Sequence, residues 1–163
     1  MHLIVSDIHG SEEGMLLVRQ AIEHFHPEGI ISAGDQCPDP LYSAFYSSLI
    51  AVRGNCDRFY EYYDIPFPPL SREIKLYGKR IVITHGHEAA PDDFDLQKGD
   101  IFISGHTHVP SLYEEDGVVF CNPGSPSRPR SSSGPTAAAL SDEGLFLFSL
   151  LDFSTLKAIL FSF

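Results

Sequence analysis

The chain has 163 residues, enough for one filled hydrophobic core and too few for two ordinary domains, so a single domain over residues 1–163 is expected. A formal net charge of −11 argues against long nucleic acid as a partner, because a polyanion is repelled unless a local field reverses the sign. With 43% hydrophobic residues but no uninterrupted apolar run long enough to cross a bilayer, a membrane-embedded class is not expected either. Asp7 and His9 break the first apolar run too early for a targeting segment. Cys37, Cys56 and Cys121 are odd in number and lack CxxC spacing, which fits a reducing, cytoplasmic compartment and disfavours a disulfide framework or a structural zinc. Cys37 and Cys121 read as small buried apolar residues.

In chain order, Leu3 to Val5 reads as a strand ending at Asp7-Ile8-His9. Ser11-Glu12-Glu13 opens a helix carried by Met15, Val18, Ile22 and Phe25 and stopped by Pro27. Ile30 to Ala33 is a second strand, ending at Gly34-Asp35, and Asp39-Pro40 has the form of an N-cap with proline at the first helical position, opening a helix through Ser48. Leu49 to Val52 returns to the sheet and ends at Gly54-Asn55-Cys56-Asp57. Ile65 to Pro69 is a loop expected to pass near these strand ends. Glu73 to Leu76 and Arg80 to Thr84 form a hairpin about Tyr77-Gly78-Lys79, with His85 after the second strand, and Asp92 to Lys98 is expected to be a short helix. Ile101 to Ser104 leads into Gly105-His106-Thr107-His108.

From Leu112 onward strand follows strand: Leu112 to Glu114, a Glu115-Asp116-Gly117 turn, Val118 to Cys121, Thr136 to Leu140, Gly144 to Leu150 and Leu156 to Phe161. Parallel strand–helix units followed by a meander predict an α/β chain built as a four-layer sandwich, two mixed β-sheets face to face with helices outside. Arg130-Ser131-Ser132-Ser133-Gly134 reads as a low-complexity, mobile loop.

Each of the five strands above that precede Leu112 and end in a polar motif delivers a carboxylate, amide or imidazole at its carboxyl end, where ligands gather in sheets flanked by helices. Asp, His and Asn are oxygen and nitrogen ligands suited to Mn²⁺, Mg²⁺, Fe²⁺ or Zn²⁺ without thiolate. A lone His-x-His would be a weak signal; five strand ends carrying such residues beside glycines are a specific one. His2, His24 and His26 read as ordinary structural histidines, and the role of His87 is left open. Arg53, Arg58, Arg128 and Arg130 lie beside the motifs and offer a locally positive mouth for a small phosphate despite the acidic whole.

The ordered set Asp7-x-His9, Gly34-Asp35, Gly54-Asn55, His85 and Gly105-His106-x-His108 resembles the metallophosphoesterases of the calcineurin-like superfamily, and the Gly54-Asn55-Cys56-Asp57 segment is similar to that of its small phosphodiesterases. Asn122-Pro123-Gly124-Ser125-Pro126-Ser127-Arg128-Pro129-Arg130 is similar to a further segment of that family, so the resemblance covers nearly the whole chain. It implies the sandwich fold and two divalent ions, Mn²⁺ foremost, with Mg²⁺, Fe²⁺, Ni²⁺ or Zn²⁺ as alternatives. Asp7, His9 and His108 would hold one ion, Asn55, His85 and His106 the other, and Asp35 would bridge them.

A carboxylate-bridged pair roughly 3.5–4 Å apart shares a water whose lowered pKa supplies a hydroxide to attack phosphorus in a small phosphate ester. The residues implied for catalysis are Asn55, Cys56 and Asp57, with Asn55, Ser125, Arg128 and Arg130 on the substrate. Many family members carry His where Cys56 stands. A thiol is a poorer proton donor, so phosphodiesters with good leaving groups are expected over alkyl monoesters. The competing readings are a non-catalytic scaffold, as in the retromer subunit that resembles this family, and a phosphomonoesterase or nucleotidase. Tyr60, Tyr62 and Tyr63 hint at a contact surface between copies in a homo-oligomer.

Overall fold

The computed structural model describes residues 1–36, 48–63 and 65–162. The helix expected between Asp39 and Ser48 falls almost entirely on residues outside that set, as does Cys37.

Strand β1 (His2–Val5) is followed by helix α1 (Glu12–Phe25), then β2 (Gly29–Ser32) and β3 (Leu49–Ala51). The three strands pair in parallel, Leu3 opposite Ile30 and Ile31 opposite Ile50. Ser11 caps α1 by accepting from the Gly14 N–H, and Glu12 and Glu13 place negative charge at the positive end of the helix. The helix stops where His26 turns left-handed and its N–H returns to the Ile22 carbonyl. Met15, Val18 and Ala21 project from one face of α1 onto Leu3, Val5 and Ile30, forming a cluster on the outer side of the sheet.

Strands β4 (Ser71–Leu76) and β5 (Lys79–Thr84) form the expected hairpin. Its two-residue turn, Tyr77-Gly78, has positive φ at both positions, the geometry whose twist matches paired strands. Next come β6 (Ile101–Ile103), β7 (Ser111–Glu115), β8 (Val118–Asn122), β9 (Thr136–Leu140), β10 (Gly144–Ser149) and β11 (Thr155–Leu160). The six-stranded sheet has the order β11-β10-β9-β1-β2-β3 and the five-stranded sheet β4-β5-β6-β8-β7. Both are mixed. The carboxyl-terminal strands do not form a sheet of their own: β8 pairs in parallel with β6, and β9 inserts antiparallel beside β1. The fully buried Ala137, Ala138 and Leu140 of β9 keep that central position compact, with Ala139 opposite Leu3 and Phe146.

The sheets meet through Ile4 and Ile31 on one side and Ile81, Ile83, Ile101 and Ile103 on the other, all fully buried. Alternate residues of β5, β6 and β8 (Val82, Phe102 and Val118) point the opposite way and are covered by Phe94 and Leu96. Strands buried on both faces require continuous apolar runs, which is why these segments show no alternation. The cover over this outer face is not the helix expected at Asp92 to Lys98 but a 3-10 turn, Pro91–Asp93, followed by extended chain. Side chains take the backbone groups that a helix would use. Asp93 accepts from the Ala90 N–H, Asp100 from the Gln97 N–H, and the Arg80 guanidinium donates to the Asp95 carbonyl.

The three histidines read as structural are so. His24 stacks on Phe153, His26 closes α1, and the buried His2 has its Nδ1 3.0 Å from the Tyr77 hydroxyl. Burial pushes the His2 pKa below its ordinary value, opposed by the charge of Glu28 and reinforced by the terminal ammonium. The unfolded chain therefore binds a proton at about pH 6.5 that the folded chain resists, so this residue costs stability as the pH falls from about 6.5 toward its folded pKa. Urea unfolding of the metal-free protein between pH 7 and 5 is expected to show a shallower loss of stability in His2→Phe than in the wild type. Parallel profiles would contradict this.

Candidate metal centre

Strands β1, β2, β3, β5 and β6 end on one edge of the sandwich, and the loops that leave them are laced together by main-chain hydrogen bonds. The Asp7 N–H donates to Gly34 O (3.0 Å), His9 to Asp35 O (2.8 Å) and Gly105 to His85 O (3.0 Å). Asp7, His9, Asp35, His106 and His108 all have positive φ, so five of the seven candidate ligands sit in left-handed backbone, a conformation Asp and His tolerate better than most residues. Two glycines make the lacing possible. A Cβ at Gly54 would collide with the Asp35 carboxylate, and one at Gly105 with Ser6 Oγ and Asp7 Oδ2.

The side chains converge in two groups. In the first, Asp7 Oδ1 lies 3.3 Å from His108 Nε2 and 3.7 Å from His9 Nε2, and the two imidazole nitrogens are 3.2 Å apart. In the second, Asn55 Oδ1 is 3.1 Å from both His85 Nε2 and His106 Nδ1. Asp35 Oδ2 stands between them, 3.7 Å from His9 Nε2 and 3.2 Å from His85 Nε2. The structure thus brings together all seven residues expected as ligands.

Supporting hydrogen bonds fix their orientation. His85 Nδ1 donates to Ala33 O (2.7 Å) and His108 Nδ1 to Arg128 O (2.8 Å), which leaves each Nε2 lone pair for the interior of the site. Asp7 Oδ2 accepts from Ser6 Oγ (2.6 Å) and the His106 N–H (3.0 Å). Asp7 Oδ1, by contrast, is buried with no hydrogen-bond partner among the described residues. A buried carboxylate oxygen without a donor is costly unless a cation satisfies it. Inward-facing imidazole lone pairs around that oxygen, together with Asp35 and the Asn55 amide, make a donor set that fits divalent metal.

The charges agree. Burial would raise the Asp35 carboxyl, but hydrogen bonds from His85 and the Cys56 N–H, with the charges of His85 and His9, outweigh it and hold the pKa down to about 2. His85 is likewise opposed by burial yet raised by its hydrogen bond to Asp35 and by the charges of Asp7 and Asp35. The centre attracts positive charge, whether a proton or a cation.

Beside the centre is a cleft of about 460 Å³ lined by His9, Asn55, Cys56, His106, Arg128 and Arg130 among others. Arg128 and Arg130 are both in its lining. Arg53 and Arg58 are not among its lining: Arg53 lies over the Phe67 ring, and Arg58 donates to the Tyr60 hydroxyl. Ser125 requires correction as a substrate contact. It is fully buried, donates to Asp7 O (2.7 Å) and accepts from the Arg128 N–H (2.9 Å), so its hydroxyl braces the first ligand loop against the Asn122–Arg130 segment. Asp57 is also buried. Its Oδ2 accepts from the Asp35 and Gly54 N–H groups (2.9 and 2.7 Å) and its Oδ1 from Tyr62, so it holds the Asp35 loop in place and is not among the residues that line the cleft. Tyr62 is therefore interior, while Tyr60 and Tyr63 are exposed.

Sequence reasoning missed Ser6, Tyr62 and the carbonyls of Ala33 and Arg128. Only Ser6, a hydroxyl next to a ligand, left a readable trace. His87 lies against the rings of His85 and His106, with a buried Nδ1 that has no hydrogen-bond partner.

A strand-end cluster of Asp, Asn and His on a two-sheet sandwich defines a metal-binding hydrolase-type site. Residues 1–143 match the calcineurin-like phosphoesterase superfamily domain, and the chain belongs to that family. It is 31% identical over 114 residues to phosphodiesterase YfcE of Escherichia coli strain K12, a match that covers 68% of this chain and spans 62% of that relative's length. It is 31% identical over 151 residues to a probable metallophosphoesterase of Methanothermobacter thermautotrophicus, covering 86% of this chain and 85% of the other. The solved structure of Yfce, a phosphoesterase from E. coli, superposes with a TM-score of 0.88 at 25% identity over 99% of both chains. Vps29 of Entamoeba histolytica, solved with Zn²⁺, shares the fold, with a TM-score of 0.67 at 21% identity over 99% of both chains.

Removing the Asp57 carboxylate frees the Asp35 and Gly54 N–H groups and loosens the loop that carries Asp35. Asp57→Ala is expected to weaken divalent-metal binding about 10–100-fold, measured by calorimetric titration of Mn²⁺ into metal-stripped protein that retains its circular dichroism. Unchanged affinity would remove Asp57 from the support of the centre.

Proposed function

We propose that the protein is a divalent-metal-dependent phosphodiesterase acting on a small phosphate ester, with two ions, Mn²⁺ foremost, and residues 1–163 as one catalytic domain in the cytoplasm. The observation that carries the reading is Asp7 Oδ1, buried without a hydrogen-bond donor and surrounded by His108, His9 and His85 Nε2 at 3.3, 3.7 and 3.8 Å. A purely structural cluster would supply that oxygen with a donor.

The residues would divide the work as follows. Asp7, His9 and His108 hold one ion; Asn55, His85 and His106 hold the other; and Asp35 faces both groups and bridges. When bound, the ions supply Lewis acidity toward the phosphoryl oxygens and a hydroxide at neutral pH. Asn55 presents its carbonyl oxygen inward, and its amide Nδ2, 3.5 Å from Cys56 Sγ, is placed to donate to a phosphate oxygen. Arg128 and Arg130 line the same cleft and would neutralise the phosphate. Burial and the neighbouring Asp35 push the Cys56 thiol up, so it stays protonated near neutrality, a weak donor and not a nucleophile.

With added Mn²⁺ the protein is expected to hydrolyse bis(p-nitrophenyl) phosphate, and chelation should abolish turnover. Asp35→Asn should lower kcat/KM at least about a thousandfold, the order of the several kcal/mol assigned to metal-assisted charge stabilisation. A folded, metal-loaded sample inert with every divalent ion would favour the scaffold reading. Cys56→His installs a stronger donor and is expected to raise monoester turnover relative to diester turnover, measured as the ratio of kcat/KM for p-nitrophenyl phosphate and its bis ester. An unchanged ratio would show that Cys56 does not set the preference.

A further inference from the structure

A second cleft, of about 200 Å³, adjoins the metal centre on the other side of His106 and Thr107, which line both spaces. His106 turns Nδ1 toward Asn55 in the centre, so a phosphate held there has one ester arm within reach of this cleft. The small side chains of Ala89 and Ala90 and the ring of Pro91 line it, together with Tyr113 and Phe120, whose rings stack on each other 5.1 Å apart at 13°. Its volume is below the roughly 300–1,000 Å³ of pockets for drug-sized ligands, which suits a single ring system. A slot bounded by flat apolar groups favours a flat apolar guest.

The charge beyond it narrows the choice. The neighbouring depression shares Ala90, Pro91, Tyr113 and Phe120 but is rimmed by Asp92, Asp95, Glu115 and Asp116. A second phosphate on that arm would meet four carboxylates, whereas an uncharged or cationic ring would not. We propose that the cleft between Ala90 and the Tyr113–Phe120 pair receives an aromatic ester substituent carrying no further phosphate, so that the substrate is an aryl- or nucleobase-type monophosphate diester. This rests on the phosphodiesterase reading and adds the substrate class.

The test separates the two. Phenylphosphonate and methylphosphonate, titrated calorimetrically into the Mn²⁺-loaded protein, differ only in the group offered to the cleft. Phenylphosphonate is expected to bind about tenfold or more tightly, the order gained by burying one ring. Ala90→Trp, an exposed position in extended backbone that should fold, fills the slot, and Tyr113→Ala removes one of the two stacked rings that line it. Each should bring the ratio of affinities toward one. Equal affinities in the wild type, no binding of phenylphosphonate, or a ratio unmoved in both variants would overturn the inference. Turnover of bis(p-nitrophenyl) phosphate in the same preparation reports on the catalytic reading: turnover without a phenyl preference defeats the cleft alone, and a phenyl preference without turnover defeats the catalysis.

Discussion

Burying two carboxylates at the meeting point of five loops is the constraint around which the structure is arranged. Asp7 and Asp35 are 0% and 2% exposed, and like charges in such a place repel unless each is compensated. Part of the compensation is internal. Ser6 and the His106 N–H serve one oxygen of Asp7, and the Cys56 N–H serves one oxygen of Asp35. The other oxygens, Asp7 Oδ1 and Asp35 Oδ2, have imidazole nitrogens as neighbours, at 3.3 and 3.2 Å. Such a centre is unfavourable empty and favourable around cations, so metal affinity and folding stability are linked. An ion that binds the folded chain alone adds RT ln(1 + [M]/Kd) to its stability.

The strain follows from the same demand. A strand end that continued in extended backbone would point its side chain to one face of the sheet, and ligands from five strands could not meet. Turning left-handed at Asp7, His9, Asp35, His106 and His108 redirects each side chain into the common space, at a cost of order 1–3 kcal/mol per residue in a sparsely populated region. The sandwich core, built from β-branched residues buried on both sides, is what holds those conformations in place. Gly54 and Gly105 do the complementary task of leaving room for a neighbouring carboxylate.

This explains what was legible in the sequence. The ligand motifs could be read because each needs a particular side chain beside a glycine at the end of an apolar run, and that pattern is local. The hairpin turns at Tyr77-Gly78 and Asp116-Gly117 were legible for the same reason. Sheet membership was not: nothing in Thr136 to Leu140 says that it lies beside β1 and not beside β8, since pairing is decided by long-range packing. Nor was the role of Ser125 or Asp57. Both are polar residues within functional motifs, and only burial and hydrogen-bond partners distinguish a side chain that touches substrate from one that braces a ligand loop. At Asp92 to Lys98 a short helix was expected, but Arg80 and Asp100 took backbone groups of the segment, an effect that the segment itself does not reveal.

The contrast between a strongly acidic chain and a site proposed to take a phosphate resolves when field and site are taken separately. Most of the net charge of −11 is solvated surface, and screening confines its reach to about 8–10 Å at physiological ionic strength. Within the centre the sign depends on occupancy: two carboxylates alone repel an anion, whereas divalent cations over the same pair would leave a net positive pole, reinforced by Arg128 and Arg130 in the adjoining cleft. The acidic rim past Tyr113 keeps its sign in either state, because none of its carboxylates is among the residues that would hold metal. Metal loading would therefore create attraction at one point of an otherwise repelling surface. On the proposed reading, that arrangement favours an ester with its single negative charge at the reacting phosphorus over any substrate that carries a second phosphate along the chain.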